Sequence, residues 1–207
     1  MEWEAIQATA SWQWLMAHQH WLGGIIIGIA FIESFAVIGI IVPGVVLLAA
    51  AAFIAGAGAL DLPTTLICAF IGAVIGDGIS FLIGRSFHKH INNVWPFKQN
   101  RSWLEKGEYF FEKYGLLSIV IGRFLGPIRP IMPLAAGTMH MPAIQFYSVN
   151  FLSAIAWAPA YILPGFIAGS ATHYDPSMQR WFIAGAIVLL VAGAVILKIR
   201  SKVNQTN

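Results

Sequence analysis

Residues 122–137 read GRFLGPIRPIMPLAAG. The stretch lies between two strongly apolar runs. One ends in LLSIVI, and the other continues, after a short polar gap, as AIQFYSVNFLSAIAWAPAYILPG. It nevertheless carries two arginines, Arg123 and Arg129, and three prolines, Pro127, Pro130 and Pro133. A plain membrane span tolerates neither feature well. Each proline lacks a backbone donor and biases the residue before it away from helix. Together with Gly122 and Gly126 they are expected to break the segment into a descending helix, a turn and a short ascending piece. An arginine in hydrocarbon cannot shed its charge and costs roughly 2.5–3.5 kcal/mol even on the lenient insertion scale. Both side chains must therefore face a polar interior with partners, and guanidinium forks match carboxylate and phosphate.

The surrounding chain identifies the medium. Its 207 residues are 58% hydrophobic and 10% charged, with a mean hydropathy of +0.73, whereas water-soluble domains run nearer a quarter charged. The sequence is that of an all-α integral membrane protein, and residues 1–207 suit a single domain with a handful of spans. Glu2 and Glu4, with no basic n-region, predict no cleavable signal peptide. Cys68 is the single cysteine, which excludes a disulfide within the chain. The net charge is +3 and carries no nucleic-acid signature, so nucleic acid is not an expected partner. No metal or other cofactor is expected either: His88-Lys89-His90 and His18-Gln19-His20 lack a nearby Cys or acid and read as solvated faces.

The apolar stretches are Trp21–Val42, Pro43–Leu60, Leu62–Ile83, Tyr114–Ala136, Ala143–Ile167 and Trp181–Ile199. The first two adjoin with only Pro43-Gly44 between them, where two ordinary spans would need a turn that reaches water. That junction, with Gly56 and Gly58 further on, predicts a re-entrant helical hairpin over 43–60. A second hairpin is expected over 114–137. Such backbone is tolerated only where protein buries it or a wet cavity receives it. Arg85, Lys89, Lys98, Arg101, Lys106 and Lys113 form one basic segment, and Lys198, Arg200 and Lys202 form another. The connections bearing Asp61 and Asp175 are much less basic. The positive-inside rule then places both basic segments and both termini in the cytoplasm. The count closes with about four transmembrane helices and two opposed hairpins, arranged like an inverted repeat in which VPGVVLLAAAAFIAG loosely echoes RPIMPLAAG. Residues 1–20, with Trp3, Trp12 and Trp14, read as an interfacial segment, and 85–113 as a cytoplasmic amphipathic loop on the headgroups.

Glu33 and Asp77 are the acids well inside spans. With Arg123 and Arg129 they make a near-neutral intramembrane set. Intramembrane charge is a functional-site hypothesis by default, so the arginines are candidate phosphate ligands. Glu33 has two readings, a proton carrier or an ion pair with Arg123 or Arg129. Asp77 is a second candidate for ion coupling or pairing. Pro43, Gly44, Pro127, Pro130, Pro133 and Gly137 are assigned to hairpin turns and close packing, and Asn150 is expected to hydrogen-bond a hairpin.

Four stretches, FIESFAVIGIIVPG at 31–44, GAVIGDGISFLIGR at 72–85, GRFLGPIRPIMPLAAGTMHMP at 122–142 and NFLSAIAW at 150–157, resemble the DedA family of membrane proteins, the VTT or SNARE-associated domain group. The resemblance implies opposed re-entrant hairpins in a bacterial inner membrane protein. It further implies transport of lipid: flipping of undecaprenyl phosphate or phospholipid, coupled in some members to protons or sodium. It attaches importance to the acid at Glu33 and to Arg123 and Arg129. Many members carry an acid after the first Pro-Gly, where this chain has Val45, which implies either no ion coupling or Asp77 in that role.

The expected function is therefore a lipid flippase or scramblase whose partners are membrane lipids, with undecaprenyl phosphate or phosphatidylethanolamine as substrate. The competing readings are a proton- or ion-coupled small-solute transporter and a membrane assembly factor. A lipid phosphatase fits less well, because no nucleophile is suitably spaced and His140 has no acid beside it; an enzyme is not expected. A homo-oligomer is left open.

Overall fold

The computed structural model describes residues 13, 17, 19–36, 38–39, 42–87, 98, 101–125 and 129–171. Among these the secondary structure is helical throughout. The helices are α1 (Gln19–Ser34), α2 (Gly44–Ile54), α3 (Leu62–Phe87), α4 (Arg101–Tyr114), α5 (Leu117–Phe124), α6 (Ile131–Thr138) and α7 (Ala143–Ala171). The segments 1–12 and 172–207, which hold most of the expected interfacial segment, the span Trp181–Ile199 and the basic tail, lie outside the described residues, as do Lys89 and Pro127.

Helices α3 and α7, of 26 and 29 residues, are long and apolar enough to cross a membrane; at 1.5 Å per residue they reach about 39 and 43 Å. Their burial is the reverse of a soluble core helix. Along α3 the large side chains Ile67, Ile71, Ile75 and Ile79 are exposed, whereas Ala69, Gly72, Ala73, Gly76, Asp77 and Ser80 are buried. Oil outside and small or polar groups inside is what a lipid solvent selects. Pro159 and Pro164 sit within α7 and are tolerated there as prolines are in membrane helices. Asp61 caps α3: its carboxylate accepts the Thr64 N–H at 2.9 Å and its carbonyl accepts the Thr65 hydroxyl at 2.8 Å.

The two expected hairpins take different forms. Residues 44–57 run as one rod, α2 continued into a wider π turn (Ala55–Ala59) that Gly58 breaks with its positive φ of 103°. The reversal expected inside 43–60 is thus displaced to the ends of that rod, because nothing between Gly44 and Gly58 breaks the helical ladder. Within 114–137 the chain is broken as the prolines require. Helices α5 and α6 have eight residues each and are separated by 125–130. They pack against each other at Gly122, where a Cβ would run into Met132 Cγ. Pro130 is the N-cap of α6, and Pro133 lies in its first turn, where the missing N–H leaves no hydrogen bond unmade. Gly137 is inside α6 and Gly44 opens α2, so both act through close packing rather than as turn residues.

Two short–long crossings organise the molecule. Helix α6 packs on α3, and α2 with its π turn packs on α7. In the first, a Cβ on Gly84 would strike the carbonyl oxygen of Leu134, and one on Gly137 the carbonyl oxygen of Phe81. In the second, a Cβ on Gly56 would strike the carbonyl of Phe166, and one on Gly169 that of Phe53. In every case the struck carbonyl belongs to the residue three before the partner glycine, giving Phe53-x-x-Gly56, Phe81-x-x-Gly84, Leu134-x-x-Gly137 and Phe166-x-x-Gly169. The sequence echo noted above ends on Gly56 and Gly137, the short-helix members of these two crossings. An alanine-rich core (Ala30, Ala51, Ala52, Ala69, Ala73, Ala158) then fills the space between α1, α2, α3 and α7.

Candidate functional site

Small residues bring the backbones close, and the space left over collects the polar side chains. Glu33 and Ser34 close the C-terminal end of α1, Asp77 lies midway along α3, Arg123 ends α5, Arg129 precedes α6, and Asn150 and Trp157 lie on α7. All are buried: Glu33, Asp77, Arg123 and Arg129 expose 4, 2, 3 and 4% of their surface, and Ser34, Asn150 and Trp157 none. The four charges expected from the sequence thus form one cluster.

The pairing is specific. Arg123 Nη2 donates to Asp77 Oδ2 and to Asn150 Oδ1, while the Asn150 amide donates to the Val74 carbonyl at 3.3 Å. Asn150 therefore ties the broken segment to both long helices. Arg129 Nη1 donates to Glu33 Oε1, and its Nη2 donates to Ser34 Oγ at 2.9 Å. The Arg129 guanidinium also lies over the Trp157 ring, with Cζ at 4.1 Å from the centroid, and at 5.8 Å from the Tyr161 ring one turn on. A desolvated contact of this kind is worth about 2 kcal/mol. Ser80 fixes the end of α1, accepting the Ala36 N–H at 2.9 Å and donating to the Gly76 carbonyl at 2.8 Å. Gly44 is a contact as well: a Cβ there would meet Glu33 Cβ and Cγ at 2.6 Å. Val45 is 47% exposed and takes no part, whereas Asp77 is a full member.

Four buried side-chain atoms among the described residues have no hydrogen-bond partner: Glu33 Oε2, Arg123 Nη1, Arg129 Nε and Trp157 Nε1. All four belong to this cluster. An unmade buried hydrogen bond costs roughly 1–3 kcal/mol, so their convergence marks a site rather than a settled core. A cavity of ≈ 10 Å³, lined by Asp77, Ile119, Arg123, Arg129, Met132 and Pro133, opens beside the two arginines. That is room for about one water. Among the described residues no group of His, Cys, Asp and Glu is placed to hold a metal ion.

The sequence reading found the four charges and Asn150 but not Ser34, Trp157 or Tyr161 as members. Ser34 stood next to Glu33. Trp157 and Tyr161 continue from Asn150 at the i+7 and i+11 positions of one helix face, a signal weaker than a charge because aromatic residues are ordinary in membrane helices.

Comparison with known proteins gives concordant findings. The family model for the VTT domain matches residues 42–167, more than half of the chain. The inner membrane protein YabI of Escherichia coli (strain K12) is 36% identical over 170 residues, 80% of this chain and 66% of YabI. Protein DedA of the same strain is 31% identical over 189 residues, 88% of this chain and 84% of DedA. The inner membrane protein YqjA is 25% identical over 170 residues, 80% of this chain and 77% of YqjA. The chain thus spans about two thirds of the length of YabI. No solved structure shows significant similarity to it.

Proposed function

The chain belongs to the VTT-domain, or DedA, family of inner membrane proteins, and from that premise we propose that it is a flippase or scramblase for a lipid with a phosphate headgroup. Undecaprenyl phosphate and a phospholipid such as phosphatidylethanolamine are the two substrates that suit it. The observation that carries this reading is the buried pair Arg123 and Arg129, each already holding a carboxylate and each with one unpartnered N–H. The topology that goes with it has about four spans and two short re-entrant elements entering from opposite faces, the unbroken 44–57 rod and the broken segment 114–137, with the cluster near the midplane and both termini cytoplasmic. A space of ≈ 10 Å³ is too small for a phosphate, so the arrangement described is a closed one that opens to load. The outer face of α7 bearing Tyr147, Ser148, Phe151 and Leu152 is shallow, with Phe151 and Leu152 50 and 66% exposed, and suits contact with lipid tails.

A headgroup that takes over Arg129 Nη1 displaces Glu33, and the released carboxylate is then free to take a proton. Glu33→Gln is accordingly expected to flip lipid at a rate that no longer varies with pH. A pH profile identical to that of the unsubstituted protein would remove Glu33 from the coupling step and leave it as a structural partner of Arg129.

The reading is tested in proteoliposomes by comparing flipping of labelled undecaprenyl phosphate and phosphatidylethanolamine, with and without Arg123→Ala and Arg129→Ala. Fast flipping of one lipid that is lost in both folded variants is the expected result. Flipping of neither lipid by folded protein would overturn it in favour of a small-solute transporter or an assembly factor.

A further inference from the structure

Trp157 has two faces in the cluster, and the pairing scheme above uses one of them. Its ring supports the Arg129 guanidinium at 4.1 Å. Its indole N–H is wholly buried and has no acceptor among the described residues. The side chain is a donor only, so the N–H cannot be satisfied by either arginine. Phenylalanine would offer Arg129 a ring face, though a weaker one, without burying a polar atom. Among the described residues, the wholly buried atoms without a partner are one acceptor, Glu33 Oε2, and three donors, Arg123 Nη1, Arg129 Nε and Trp157 Nε1. A guest that serves the three donors accepts several hydrogen bonds at once, as the oxygens of one phosphate do.

We propose that Trp157 is a direct ligand of the substrate, its indole N–H donating to a phosphate oxygen that Arg129 Nε also contacts. The ring face and the N–H edge then have separate duties: the face holds the guanidinium flat, and the edge reads the anion. Because the indole is neutral, it adds a directed donor without adding a charge that would require a further buried carboxylate. The inference deepens the phosphate-lipid reading and rests on it for the identity of the guest, which is a phosphate group, whether on a lipid or free.

The experiment uses the full chain, purified in detergent with its tryptophan side chains labelled with nitrogen-15. The Trp157 indole signal is identified by its loss in Trp157→Phe. Dihexanoyl phosphatidic acid is titrated in, with dihexanoylglycerol as the uncharged counterpart and inorganic phosphate as the tail-free one. The Trp157 signal is expected to move saturably with phosphatidic acid and to stay still with dihexanoylglycerol. Movement with inorganic phosphate as well would assign the contact to the phosphate group alone, and its absence would assign it to a lipid headgroup. Trp157→Phe, which retains the ring face, is expected to bind phosphatidic acid about ten-fold more weakly, the scale of a lost hydrogen bond to a charged group. A stationary Trp157 signal while the probe binds, or wild-type affinity in Trp157→Phe, would overturn the proposal. If the probe moves the signal but the protein flips no lipid, the transport reading fails and the ligand assignment stands. If no phosphate probe binds the folded protein, both fall together.

Discussion

Arg129→Ala is expected to stop lipid transport and to lower stability by about 3–5 kcal/mol, the usual cost of stranding one member of a buried ion pair. The side chain holds Glu33 with Nη1 and Ser34 with Nη2, and it lies on Trp157. Removing it leaves the carboxylate inside a membrane-embedded core with no cation. The double variant Glu33→Gln/Arg129→Gln removes both charges and is expected to recover most of that stability while remaining inactive. Arg129→Lys is expected to fold better than Arg129→Ala and still not to transport. A lysine is a point charge that cannot bond Glu33 and Ser34 in one plane and stack on an indole together. Thermal unfolding in detergent and flipping in proteoliposomes read the two effects separately. Wild-type flipping by Arg129→Lys would show that charge alone suffices at this position.

Gly137→Val and Gly84→Val are expected to lower stability by about 1–3 kcal/mol each, toward the upper end of the range for overpacking. At both positions the obstacle is a backbone carbonyl, of Phe81 and Leu134 respectively, which cannot rotate out of the way as a side chain can. The new methyl groups have to push α6 off α3. Arg129, next to the N-cap of α6, moves with it, so transport is expected to fall along with stability. Gly24→Ala and Gly28→Ala are the controls, since a Cβ at either meets nothing within 4 Å. Alanine within a helix is favoured over glycine by roughly 0.5–1 kcal/mol, so these two are expected to be neutral or stabilising. Equal melting temperatures across all four variants would show that the crossings are looser than the geometry indicates.

The parts of this molecule that were legible in its sequence are those where a residue type conflicts with its medium. Arg123, Arg129, Glu33 and Asp77 are charges in oil, and each demands a partner, so their assembly into one cluster could be anticipated. Which acid serves which arginine could not, because that depends on where 125–130 leaves the chain before α6 begins. Pro130 announced the start of α6, because proline removes a donor that a helix N-terminus does not use. The segment 43–60 misled for the opposite reason. Pro43-Gly44 marks a helix start as readily as a turn, and a run of alanine then carries the helix on to Gly58. The reciprocal use of Gly56, Gly84, Gly137 and Gly169 was invisible as such, since a glycine shows only that something passes close and not which carbonyl does. Trp157 was hidden by its ordinariness in a membrane helix.

The closed cluster holds two guanidinium groups and two carboxylates, Arg123 with Asp77 and Arg129 with Glu33, and so has no formal net charge. In that condition the voltage across the membrane exerts no net force on it. A guest bearing one negative charge would break the balance. Carrying that charge across the full thickness against or along 100 mV changes the free energy by about 2.3 kcal/mol, roughly fifty-fold in an equilibrium. A proton taken by the carboxylate that the guest displaces would restore neutrality and make the passage indifferent to voltage. Whether Glu33 is protonated on loading is therefore also what decides whether such a transporter works with the cell's electrical potential or independently of it.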